Sequence, residues 1–249
     1  MKIIFLWIKT IVLCSASSWG QGAPNSLPHA VDAAPSAFTG LLSKYARPDG
    51  VHYEAWRANE ADIEALQEVV GFYASHLPPE NKQAALAWHL NAYNAWILHH
   101  VLKKYPTPGP LDGNPLFFKM ESIIISGEKT SFDHLEKKRI LAVYQDPRLH
   151  FAVNCASESC PPLHTQPFIG DTLQDDLDRL TRAFINTNPQ GVVAGQGEVG
   201  LSKIFDWYAD DFGGRNQLIA YLNRYRDQTV PANARVRFLD YSWKLNEVK

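Results

Sequence analysis

The chain has 249 residues, with 24 Lys and Arg against 26 Asp and Glu and a formal net charge of −2. Its cations are scattered and form no basic face, which excludes nucleic acid as a partner. Three cysteines neither staple a small fold nor match a zinc framework, and no glycine-rich phosphate loop or metal-spaced ligand set is present, so no cofactor or metal is expected.

The chain opens with Lys2, an apolar run from Ile3 to Leu13 interrupted by Lys9, and then small residues, the pattern of a secretory signal peptide removed near Gly20. The run falls short of the ~20 apolar residues of a membrane span, so no span is expected once the signal is removed. Cys14 follows bulky Leu13, which disfavours lipidation there. The predicted location is therefore periplasmic or secreted. Residues 21–36 form a linker poor in large apolar side chains. Residues 37–249 suffice for a single domain with a full core.

Ala37 to Tyr45 reads as a short helix, and Asp49-Gly50 turns the chain into a short strand, Val51-His52-Tyr53. From Glu54 to Ser75, Ile63, Leu66, Val70 and Tyr73 recur at helical spacing. Gln83 to Tyr105 carries the strongest helical signal. Leu86, Leu90, Tyr93, Ile97 and Val101 make one stripe, and Ala87, Asn91, Ala95 and Leu98 a second. A helix apolar most of the way round is buried, so Asn91 and Asn94 need partners inside the protein. Pro106 to Pro115 is a long connector suited to lining a cleft.

Ser122 to Ser126 and Lys129 to Phe132 flank Gly127-Glu128 as a hairpin. Asp133 with Glu136 three residues on has the form of a helix capping box. Next comes Asp146-Pro-Arg-Leu-His150-Phe-Ala-Val-Asn-Cys155-Ala-Ser-Glu-Ser-Cys160-Pro-Pro-Leu163, where Leu149 to Val153 is predicted as a buried strand emptying into a tight loop. Asp171 to Asn186 is an amphipathic helix. Pro189 to Gly200 allows a small hairpin, Ser202 caps a helix stopped by Gly213-Gly214, Gln217 to Tyr225 is a last helix, and Val236 to Leu245 a closing strand. Helices in blocks with short, hairpin-linked strands predict an α+β fold, several helices around a small, mostly antiparallel sheet.

The segments Trp88-His-Leu-Asn91-Ala-Tyr93-Asn94, Ser131-Phe-Asp-His-Leu-Glu136, Asp146 to Ser157, Phe205-Asp-Trp-Tyr-Ala-Asp-Asp-Phe-Gly-Gly214 and Tyr241-Ser-Trp-Lys-Leu-Asn246 together resemble the domain of unknown function 547 family. The resemblance runs from about Gly40 to the C-terminus. It implies a fold similar to papain-like cysteine hydrolases and a Cys-His-Glu set, which on this sequence is Cys155, His150 and Glu136. Two positions depart from it. Lys137 stands where many members carry His, and His164 where many carry Arg, which argues against His164 as an inherited base.

A cysteine hydrolase needs a thiolate, a base and a group that orients the base. Glu136 is a chemically sensible orienter, and Asn91 and Asn94 are candidate oxyanion-hole or cleft donors. An extended chain places His150 and Cys155 roughly 16 Å apart at ~3.3 Å per residue and on opposite faces. Contact therefore requires a bend after Val153 or a different base, with His134 the alternative and His164 behind it. The residues leave open a disulfide between Cys155 and Cys160, helix capping by Glu136, and structural roles for His150, Asn91 and Asn94. The expected function is an exported cysteine-dependent hydrolase or acyltransferase acting on an amide or thioester bond, with a peptide or small acyl substrate. The alternative is a non-catalytic binding or assembly module with a structural Cys155/Cys160 pair. A redox role for the Cys155/Cys160 pair fits less well, because the spacing differs from Cys-x-x-Cys and lacks the helix start that lowers a thiol pKa.

Overall fold

The computed structural model describes residues 27–195 and 197–248. The expected signal peptide, Cys14 and the first part of the linker lie outside the described residues.

The fold is α+β. Its centre is α4 (Lys82–Lys104), where Asn81 caps the N-terminus by accepting from the Gln83 and Ala84 amides, and Lys103 and Lys104 occupy the last turn. Both apolar stripes are buried, together with Asn91 and Asn94. Around it pack α1 (Ser36–Tyr45), α2 (Tyr53–Arg57) and α3 (Glu60–Ser75). The single helix expected over Glu54 to Ser75 is divided, because the Asn59 side chain accepts the Asp62 amide and starts a new helix. The linker is docked from its middle onward. Ala30 donates to the Leu77 carbonyl at 2.8 Å, and the Ala33 carbonyl accepts from Tyr73 and Asn91.

In place of one small sheet there are three among the described residues. β1 (Ala46–Arg47) pairs antiparallel with β2 (Gly50–Val51), and Tyr53, expected at the end of this strand, instead opens α2. β3 (Ile123–Ile125) pairs antiparallel with β4 (Glu128–Thr130). Ile125 faces Glu128, so the turn is Ser126-Gly127, one residue earlier than expected. Both residues have positive φ, 53° and 80°, as a type I′ turn requires. β5 (Val192–Ala194) pairs antiparallel with β6 (Glu198–Leu201), which pairs parallel with β7 (Arg235–Phe238). The closing strand thus ends at Phe238. Beyond it the chain runs irregularly, bridging Leu245 to Ser157 and Glu247 to Val51.

The buried apolar side chains form two clusters. The larger gathers α1 to α4, Phe132, Leu149, Val153 and the start of α7 (Leu173–Asn186). The smaller gathers Phe151, the end of α7, the third sheet, α8 (Ile204–Trp207) and α9 (Leu218–Leu222). Leu149 and Val153 belong to one cluster and Phe151 to the other, so the segment carrying His150 lies at their junction.

Two local structures at that junction differ from expectation. Residues Pro147–Phe151 form a 3-10 helix rather than a strand. Asp146 caps it by accepting the Arg148 amide at 2.9 Å, and Pro147 occupies the first turn. Arg148 then ties the turn to α7 through Asp178 at 2.7 Å. The capping box assigned to Asp133 and Glu136 also fails. Ser131 is the cap, accepting the His134 amide, and it starts α5 (Phe132–His134). The helix then widens into a π-helix, Leu135–Leu141, before α6 (Ala142–Tyr144), with the Ala142 amide bonded to the Lys137 carbonyl. A π segment inserts an extra residue per turn and re-aims a side chain. Here it carries Glu136.

Candidate functional site

Because the Leu149 to Val153 segment is coiled, the 16 Å separation of a strand no longer applies. Residues rise only about 2.0 Å each in a 3-10 turn. His150 and Cys155 line one cavity of about 310 Å³, shared with Tyr93, Glu136, Tyr208, Tyr241, Trp207 and Trp243. Asn94 of α4 fastens the chain between them. Its side chain donates to the Ala152 carbonyl at 3.0 Å and accepts the Asn154 amide at 2.9 Å. Asn154 in turn donates to the Pro161 carbonyl and accepts the Ala156 amide, closing the loop on itself.

Cys155 and Cys160 are free thiols; the disulfide kept open by the sequence is not formed. The Cys160 sulfur instead accepts the Cys155 backbone N–H at 2.9 Å. The Cys155 sulfur is partly buried and has two hydroxyl neighbours, Ser157 at 3.0 Å and Tyr241 at 3.2 Å, which bond each other at 2.9 Å. Burial pushes this thiol upward, but hydrogen bonds from Cys160, Ser157 and Tyr241 outweigh it and bring the pKa down to about 7. Cys160 moves the opposite way, held well above the thiol range by burial and by its ionisable neighbour.

His150 is buried, and its Nε2 donates to Asp211 Oδ2 at 2.8 Å. That bond holds the Asp211 carboxyl below the usual carboxylate range. It also leaves Nδ1 as the ring nitrogen not engaged by another described residue. No hydrogen bond joins His150 to Cys155 among the described residues.

Glu136 does not hold His150 through a hydrogen bond. It accepts from the Tyr208 hydroxyl at 2.8 Å and from Tyr93 at 3.3 Å. Burial raises its pKa, against the opposing pull of the Tyr208 bond and of nearby His150. The Tyr208 ring lies against the imidazole, with centroids 4.1 Å apart. The carboxylate that orients the ring is therefore Asp211, with Glu136 anchoring the tyrosine beside it.

The other candidates lie elsewhere. His134 is exposed and absent from the cavity wall. His164 accepts from Arg179 at 2.6 Å and lines a separate cavity of about 590 Å³, which contains Cys160 but neither Cys155 nor His150. Asn91 spends its amide on the Phe168 backbone at 2.8 and 2.9 Å and on Ala33, so it locks α4 to a loop. Lys137, at the position where many family members carry His, pairs with Asp133 at 2.6 Å. It lies at an open groove of about 1150 Å³ that adjoins the thiol cavity, sharing Trp207, Tyr208 and Trp243 with it. Among the described residues no cluster of His, Cys, Asp or Glu could hold a metal ion.

Sequence reasoning missed Asp211, Tyr208, Tyr241 and Ser157 as parts of the site. The signal for them was present, since three lie in the Phe205–Gly214 and Tyr241–Asn246 segments and Ser157 follows Cys155 by two.

Fold and site define an α+β domain with a thiol at the wall of a cleft between two apolar cores. Residues 79–185 match the model of the family described as Protein of unknown function, DUF547. The match contains Glu136, His150 and Cys155 and stops before Asp211 and Tyr241. Neither the comparison with curated proteins nor that with solved structures gives a match.

Proposed function

We propose that the protein is an exported cysteine-dependent hydrolase or acyltransferase acting on an amide or thioester carbonyl. One observation carries this reading: a thiol brought to a pKa of about 7 by Cys160, Ser157 and Tyr241 shares a cavity wall with an imidazole hydrogen-bonded to a carboxylate.

In this reading His150 Nδ1 takes up the Cys155 thiol proton, the thiolate attacks the carbonyl carbon, a C–S bond forms, and the carbonyl π electrons move to oxygen. Collapse breaks the bond to the amine or thiol, and the departing group takes a proton from His150. Water or an acceptor nucleophile, deprotonated by His150, then attacks the acyl-thioester and releases Cys155. Asp211 keeps the proton on Nε2, so Nδ1 faces the reaction. Asn91 and Asn94 are occupied by backbone groups. The hydroxyls of Ser157 and Tyr241 are better placed to stabilise the oxyanion, because they lose their anionic partner once the sulfur becomes covalently bound.

The substrate is a peptide or small acyl compound whose remainder lies along the adjoining groove, where Trp207 and Trp243 are each more than a third exposed. The test is turnover of a panel of acyl anilides and acyl thioesters by the wild-type chain and by Cys155→Ser. Loss of turnover to background is the expected result. Turnover by Cys155→Ser equal to wild type removes Cys155 as the nucleophile and the proposal with it.

A further inference from the structure

The proposed acyl chemistry uses Cys155 and gives Cys160 no covalent role. Cys160 is 8 % exposed, yet it is not merely a small apolar side chain filling space. Its sulfur sits 2.9 Å from the Cys155 amide nitrogen, with Val153 O at 3.8 Å, and it reaches the wall of the same cavity as Cys155. The intervening loop is built to keep its two ends together. Ala156 adopts a left-handed conformation at φ 60°, and Asn154 bonds both the Ala156 amide and the Pro161 carbonyl.

We propose that Cys160 is the resolving thiol of Cys155: a hydroperoxide oxidises Cys155, and Cys160 closes the product to a reversible intramolecular disulfide. In the first step the Cys155 thiolate attacks the peroxide. The O–O bond breaks, an S–O bond forms, and hydroxide or alkoxide leaves, so Cys155 becomes a sulfenic acid. In the second step the Cys160 sulfur attacks the Cys155 sulfur. The S–O bond breaks, and the departing oxygen takes the Cys160 proton and leaves as water. Two electrons pass from the thiol pair to the peroxide.

The arrangement favours this order. Cys155 is the more exposed and more readily ionised sulfur, the two properties that select the site of first oxidation. Burial and the neighbouring Cys155 charge keep Cys160 protonated. Oxidation of Cys155 removes that charge, and with it one of the causes holding Cys160 neutral. The chemistry needs only the thiol pair and stands apart from the acyl-transfer reading. If that reading also holds, the disulfide blocks its nucleophile until a thiol reductant restores it.

The test treats the reduced full chain with equimolar hydrogen peroxide, then alkylates under denaturing conditions and maps peptides by mass. The expected product is a Cys155–Cys160 crosslink, lighter by two hydrogens, unreactive to dimedone and reversed by dithiothreitol. Mapping separates it from any bridge to Cys14. In Cys160→Ser the expected product is a dimedone adduct on Cys155, followed by sulfinic acid. Sulfenic or sulfinic Cys155 in the wild-type chain without the crosslink overturns the proposal. So does no oxidation under conditions that oxidise free glutathione. The wild-type arm decides the matter even if the variant fails to fold.

Discussion

Cys155 shows how neighbours rather than burial decide the state of a thiol. Taken alone, its partial burial disfavours the anion, and three hydrogen-bonding partners reverse the outcome. Thiolate content rises with pH through the pKa, so alkylation of Cys155 should be half-maximal near pH 7. A free thiol reaches that point near ~8.5. Iodoacetamide kinetics from pH 5 to 10, resolved by peptide, check this, and a midpoint at or above the free-thiol value contradicts it. Tyr241→Phe removes one of the hydroxyl donors, and reactivity at pH 7 should fall roughly three- to tenfold. The role of Asp211 calls for a different measurement. It touches His150 rather than the sulfur, so Asp211→Asn should lower kcat by roughly ten- to a hundredfold with KM little changed. The alkylation midpoint of Cys155 should stay where it is. A shift of that midpoint equal to the loss of kcat would mean that Asp211 acts on the thiol instead.

At the level of elements, α4 was legible because its two apolar stripes repeat over about four turns, and its boundaries fell within a residue or two of Gln83 and Tyr105. The Leu149 to Val153 segment was not. A five-residue apolar run has too few residues to display a period, and it is buried here because two cores meet around it rather than because a sheet covers it. Asp146-Pro147 did contain the answer, since an Asx cap followed by proline marks a helical start. The error mattered for function, because a strand separates His150 from Cys155 and a 3-10 turn does not. Glu136 was likewise singled out in the sequence but given His150 as its partner, where the structure gives it Tyr208 and Tyr93. No local pattern reveals that a π segment turns it toward Tyr208, a residue 72 positions away. Asn94 explains how the coil is held. Asn94→Ala leaves a buried Asn154 amide and the Ala152 carbonyl without partners, at a cost of about 2–4 kcal/mol. Urea denaturation should show a lower midpoint at unchanged m-value. Wild-type stability would mean that the loop finds other bonds.

Across the whole molecule, the site belongs to neither core alone. His150 and Cys155 come from the junction, Tyr93 and Glu136 from the side of α4, and Tyr208 and Tyr241 from the side of the third sheet. The α+β class and family resemblance could be read from patterning and spaced motifs, whereas this convergence depends on contacts between distant parts of the chain. The segment after Phe238 makes the longest of them. Glu158 donates its amide to the Lys244 carbonyl, Asn246 takes a hydrogen bond from Tyr53, 193 residues earlier, and Tyr241 reaches the Cys155 sulfur. Among the hydrogen-bonding neighbours of Cys155, Tyr241 is the most C-terminal. The cysteine pair, the histidine and both acids are therefore all synthesised before the phenol that helps the thiol to ionise. Until that residue folds back, the sulfur lacks one of its hydroxyl donors and ionises less readily.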